Sequence, residues 1–286
     1  MNRKLLQRII ITVTGVPLFL SVIFLFPQYN HGIYFLVICF FSYTGSVEVK
    51  NMCEAKYGEK MIIPPWVCLI FPAVAYISLY NGLGFLPIFT LFILTVLAVS
   101  AWEIIRGSRE EFTGSLTRVM ITLFMIIYPN LLTPYVVFLA GFDRASYLIM
   151  LFYLLVFSND IFAYVFGMIF GRNSRGIVKA SPNKSLAGFA GGGAMTVAIA
   201  FAYTAIFSSQ LPPAPWWFLV LTALVISFVS NLGDLFESVL KRSVQVKDSG
   251  SIMPGRGGIL DSIDSIIFAA PVFYYIAYIW YTHGIA

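Results

Sequence analysis

"NLGDLFESVLKRSVQVKDSGSIMPGRGGILDSIDS", residues 231–265, gathers five of the thirteen acids and four of the eighteen bases of a chain that is 59% hydrophobic. Apolar runs flank it, 216 to 240 on one side and 259 to 282 on the other. Each is as long as the roughly 20 residues that cross a bilayer. The stretch therefore reads as the end of one membrane helix, a polar loop and the start of the next, with aspartates set inside the apolar ends. The rest of the chain repeats that alternation.

Composition agrees. With 286 residues, 11% charged and 17% aromatic, the chain has more apolar surface than one soluble core could bury. The start at Asn2 to Lys4 is basic and leads into an apolar run, but no small-x-small cleavage site follows Phe26, so the run reads as a first membrane helix. Cys39, Cys53 and Cys68 are odd in number and lack metal spacing, and read as packing residues. Hydropathy gives about nine spans: 9–26, 32–49, 62–80, 83–102, 119–141, 147–170, 187–207, 216–240 and 259–282. If the N-terminus is cytoplasmic, 17 of the 18 Lys and Arg fall on that side and only Arg144 on the other. The expected fold is an all-α polytopic membrane protein of about nine transmembrane helices. Residues 1–146 read as scaffold helices. Residues 147–286 read as the catalytic region, with cytoplasmic loops 172–186 and 241–258. The net charge of +5 is mostly this topological signal and also suits anionic headgroups or a nucleotide.

Asp160, Asp234, Asp261 and Asp264 lie in or at the ends of apolar spans. A charged Asp at mid-bilayer costs about 2.5–3.5 kcal/mol on insertion scales, so several together call for partners, a wet cavity or a cation. On a helix Asp234, Glu237, Ser238 and Lys241 make one polar stripe, and Asp261 with Asp264 makes another. Between the stripes, Lys241, Arg242, Lys247 and Arg256 supply positive charge. Gly250, Gly255, Gly257 and Gly258 let backbone N–H groups approach an anion. Neither a P-loop nor a G-x-G-x-x-G is present. Acids for a hard cation beside bases for oxyanions are the parts of a phosphoryl or nucleotidyl transfer site.

The residues Ser238, Lys241, Arg242, Lys247, Asp248, Gly250, Pro254, Gly257, Gly258, Asp261 and Asp264 resemble, at matching spacing, the signature of the CDP-diacylglycerol synthases, or phosphatidate cytidylyltransferases. Upstream, Asn159 and Asp160 with Ala163, Tyr164, Gly167 and Gly171, then "SPNKSLAGFAGG" at 181–192, are similar to a second motif of that family. Three positions depart: Arg256 stands for the family's His, Ser262 for its Arg and Ala187 for its Glu. The resemblance implies transfer of a cytidylyl group from CTP to phosphatidic acid, giving CDP-diacylglycerol and pyrophosphate. It implies Mg²⁺, with room for a second cation, on Asp234, Asp261 and Asp264. Asp234, Asp261, Lys241, Arg242, Asp248 and Arg256 would be catalytic. Asn159, Asp160, Ser181, Lys184, Ser238, Lys247, Gly257 and Gly258 would border the substrates. The expected location is a bacterial cytoplasmic membrane with the site facing the cytoplasm. Expected partners are CTP, phosphatidic acid and membrane lipids, not nucleic acid, with a homodimer open. An impaired homologue, a CTP-dependent lipid kinase and a secondary transporter are the competing readings.

Overall fold

A computed structural model describes residues 14–15, 17–108, 112–253 and 257–284. The chain is an all-α polytopic membrane protein. Residues 17–25 are helical and lead into α1, Gln28–Tyr57. There follow α2, Pro65–Tyr80; α3, Leu86–Gly107; α4, Ser115–Gly141; α5, Ala145–Phe170; α6, Leu186–Ile206; α7, Trp216–Ser243; and α8, Leu260–His283.

Among the described residues seven helices are long and apolar enough to cross a membrane, against the nine spans expected. The difference has two sources. The expected first span begins in residues outside those described. The expected third, 62–80, is a shorter helix whose first turn is a tight 3₁₀ segment starting at Pro65, because Pro64 and Pro65 keep the chain extended up to that point.

α4 is interrupted rather than straight. Tyr128 leaves the helical backbone conformation and Pro129, which has no N–H, follows it. The carbonyl of Met125 thereby loses its normal helical donor. The buried side chain of Asn130 supplies one at 2.7 Å, and it also donates to Ser46 Oγ at 2.7 Å while its Oδ1 accepts from Ser42 Oγ at 2.5 Å. In an apolar surround every backbone group needs such a partner. Here the repair also ties α4 to α1, which carries both serines.

α5, α6, α7 and α8 pack together, and glycines set how closely α5 and α6 approach. A Cβ on Gly188 would stand 2.6 Å from the Ala163 carbonyl, and one on Gly192 would stand 2.9 Å from that of Asn159. Small residues at a helix crossing in lipid permit this contact. At the far end of the bundle Arg144 hydrogen bonds Gln210. The acid-bearing ends of α5, α7 and α8, the start of α6 and the last turns of α1 lie at the opposite end.

Candidate active site

Three adjoining groups of polar residues occupy that end. The first lines a cavity of about 330 Å³ between α5, α6 and α7. Asp160 and Asp234 enter it from α5 and α7, and Lys184 and Arg175 from the loop between α5 and α6. Lys184 Nζ pairs with Asp234 Oδ2 at 2.5 Å and lies over the ring of Phe189. The loop is held for this by an antiparallel bridge between Arg175 and Ser185, and Ser185 caps α6 by accepting the Gly188 N–H at 3.1 Å. Tyr164 and Met168 of α5 also line the cavity and are largely exposed.

The second group centres on Asp261. One carboxylate oxygen pairs with Lys241, whose ammonium also meets Glu237 Oε2 at 2.7 Å. The other accepts from the Gly258 N–H at 2.8 Å, the Ser249 N–H at 2.9 Å and Ser249 Oγ at 3.0 Å. Asp261 therefore closes the loop between α7 and α8 onto the start of α8. Gly257 is needed there twice over: its φ of +106° is left-handed, and a Cβ would stand 2.7 Å from Asp261 Oδ2.

The third group is buried between these two. Asp264, 5% exposed, is surrounded by the charges of Asp234, Glu237 and Asp160. One of its oxygens accepts the Ser265 N–H at 2.6 Å. Glu237 Oε1 and the hydroxyl of Tyr128 are buried here with no hydrogen-bond partner among the described residues.

The other expected residues are placed as follows. Asn159 is fully buried, accepts from Ser227 Oγ at 2.6 Å and Asn231 Nδ2 at 3.2 Å, and donates to Asp160 Oδ1 at 3.2 Å. Its place is behind Asp160, which it orients, rather than on the cavity wall. Ser238 is buried in the stripe between Asp234 and Lys241. Arg242 is exposed and donates to the carbonyls of Ala180 and Val246, joining the two loops. Lys247 and Asp248 are exposed, and Ser181 sits in a turn of the 172–186 loop. Gly258 abuts Ser249. Arg256 lies outside the described residues.

Several residues of the site were not assigned from sequence. Arg175 and Asn231 line the cavity, Ser249 bridges the loop to Asp261, and Glu48 reaches the same loop from α1. For Arg175 and Ser249 the available signal was membership of the two charged loops. Glu48 sits at the end of an apolar span beside Lys50 and reads as an ordinary helix end.

The donor set suits a divalent cation. Asp160, Asp234, Glu237, Asp261 and Asp264 are five carboxylates, against three cations, Lys184, Lys241 and Arg175. Glu48, which shares Ser249 Oγ with Asp261, adds a sixth carboxylate, so the acids outnumber these cations two to one. Among the described residues no three His, Cys, Asp or Glu side chains stand close enough to hold an ion by themselves. A hard cation bound here would take one or two carboxylates and complete its shell with water and phosphate oxygens.

A family model described as the cytidylyltransferase family matches residues 6–280. Over 154 residues the chain is 40% identical to a phosphatidate cytidylyltransferase of Bacillus subtilis, covering 52% of this chain and 55% of that protein. Over 122 residues it is 41% identical to the phosphatidate cytidylyltransferase of Staphylococcus aureus strain COL, covering 42% and 45%. Over 259 residues it is 29% identical to the uncharacterized protein YnbB of Escherichia coli, covering 89% and 83%. The chain thus spans about half the length of the phosphatidate cytidylyltransferases it matches.

Proposed function

This chain belongs to the cytidylyltransferase family, and from that premise we propose that it transfers the cytidylyl group of CTP to phosphatidic acid, releasing pyrophosphate and leaving CDP-diacylglycerol in the membrane. The observation that carries the reading is the cavity itself. It joins two carboxylates and two cations to an exposed wall, Tyr164 and Met168, on a membrane-spanning helix. A nucleotide triphosphate and a lipid phosphate need such a meeting point between polar and apolar surroundings.

In the reaction a phosphatidate oxygen forms a bond to the α-phosphorus of CTP, and the bond from that phosphorus to the bridging oxygen breaks, so that pyrophosphate leaves with the electron pair. The attacking oxygen is largely ionised at neutral pH, since a phosphate monoester has its second pKa near about 6. The main task is to bring two polyanions together and to neutralise charge on the leaving group. Lys184 and Arg175 attract phosphate into the cavity, and Lys247 and Arg256, which belong to the other loop, would add positive charge for the phosphates. Asp160, oriented by Asn159, fixes the polar wall. Lys241 keeps Asp261 and Glu237 paired, so that the loop is already folded when substrate arrives. Asp234 and Asp264, with Asp261 beside them, would hold magnesium, which supplies charge neutralisation at the phosphates when bound. In this reading the protein sits in a bacterial cytoplasmic membrane with the site on the cytoplasmic side, where 17 of its 18 Lys and Arg would also lie.

Purified protein in detergent should release one pyrophosphate per CTP consumed only when phosphatidate and Mg²⁺ are both supplied. Pyrophosphate release that ignores phosphatidate, or none with both present, counts against the reading.

A further inference from the structure

Glu48 belongs to α1, far in sequence from the loop it holds. It is 3% exposed and forms no ion pair among the described residues. Its carboxylate is instead satisfied by the loop between α7 and α8 and by the start of α8. Oε1 accepts the Ile259 N–H at 2.9 Å, and Oε2 accepts the Leu260 N–H at 2.8 Å and Ser249 Oγ at 2.8 Å. The first N–H groups of a helix have no partner within it, and a negative charge there is favourable. Ser249 Oγ carries one proton and stands between two carboxylates, Glu48 Oε2 at 2.8 Å and Asp261 Oδ2 at 3.0 Å. The position of Asp261 is thereby tied to α1 through a single hydroxyl.

The same carboxylate accounts for two glycines. A Cβ on Gly250 would stand 2.4 Å from Glu48 Oε1 and 2.8 Å from its Cδ, and one on Gly258 would stand 2.4 Å from Oε2. For Gly250 the three nearest atoms all belong to Glu48, and its backbone is not left-handed, so a side chain is excluded by Glu48 in its bonded position rather than by backbone strain. We infer that Glu48 is a positioning residue that fixes Ser249 and the start of α8 for the site, and that Gly250 is glycine to admit it. The kinetic consequence rests on the cytidylyl-transfer reading. The structural consequence does not.

The test is a double-mutant cycle on the full-length protein in detergent, read by hydrogen–deuterium exchange of the peptide spanning 249–261. Hydrogen bonds to a charged group are strong enough that losing them should speed exchange there about tenfold or more. Glu48→Ala and Gly250→Ala should each do so, and Gly250→Ala added to Glu48→Ala should change nothing further. Glu48→Gln should resemble Glu48→Ala, because its amide nitrogen must face one of the donors, and it serves if the alanine variant does not fold. KM for CTP should rise about tenfold in the same variants, a change that loss of folded protein alone does not produce. Wild-type exchange in both Glu48 variants, or a Gly250→Ala effect as large without Glu48 as with it, overturns the inference. If the exchange results hold but wild-type protein makes no CDP-lipid, the functional reading fails and the positioning role stands.

Discussion

Asn in place of either Asp234 or Asp261 is expected to lower kcat/KM for cytidylyl transfer by about 10³-fold, the upper range for removing one electrostatic group from an active site, while each variant still inserts and purifies. The two should fail for different reasons. Asp234→Asn leaves Lys184 unpaired and removes a charge from the cavity wall. Asp261 has no orientation in which an amide fits. If its oxygen keeps the three donors from Ser249 and Gly258, the NH₂ group faces the Lys241 ammonium, and if it turns over, the NH₂ group faces the donors. Undiminished turnover in both variants would remove these aspartates from the mechanism.

The second large effect is on stability. Lys241→Met strips from Glu237 and Asp261, whose side chains are 1% and 9% exposed, the only cation that pairs with them among the described residues. Breaking a buried pair by removing one partner costs about 3–5 kcal/mol, because the remaining charges stay buried and uncompensated. A clear fall in the thermal unfolding temperature in detergent is expected. Arg242→Met, at the next position but exposed and bonded to two carbonyls, should stay within about 0.5 kcal/mol of wild type. Equal stability losses for the two would show that the buried pairing carries no special weight.

Much of the membrane architecture was legible because hydropathy and helix length are local properties. The spans expected at 147–170, 187–207, 216–240 and 259–282 appear as Ala145–Phe170, Leu186–Ile206, Trp216–Ser243 and Leu260–His283. What hydropathy did not give was the break in α4. Its cause is visible at Pro129, but its repair by Asn130, Ser42 and Ser46 depends on a helix more than 80 residues away.

The aspartates of the site were legible as well, since carboxylates inside apolar runs cost energy that something must offset. Their partners were less so. Asn159 stood beside Asp160 in a motif and read as a substrate contact, yet its bonds go to Ser227 and Asn231 on α7. Residues 1–146 read as scaffold helices, yet Glu48 holds the loop. Arg118 is buried with Glu103 and Glu59, at 2.8 and 2.5 Å, fastening the ends of α3 and α4. Glu48 bonds to backbone N–H groups, which any sequence supplies. No spacing rule marks a partner made of main chain more than 200 residues on.

The most direct measurement follows the label of CTP into lipid. Purified protein is given phosphatidic acid, Mg²⁺ and CTP labelled at either the α- or the γ-phosphate, and the lipid is then extracted. The account predicts that α-label enters the lipid as CDP-diacylglycerol and that γ-label remains in water as pyrophosphate. γ-Label in the lipid would identify a kinase, and no label in the lipid from either position would contradict transfer altogether.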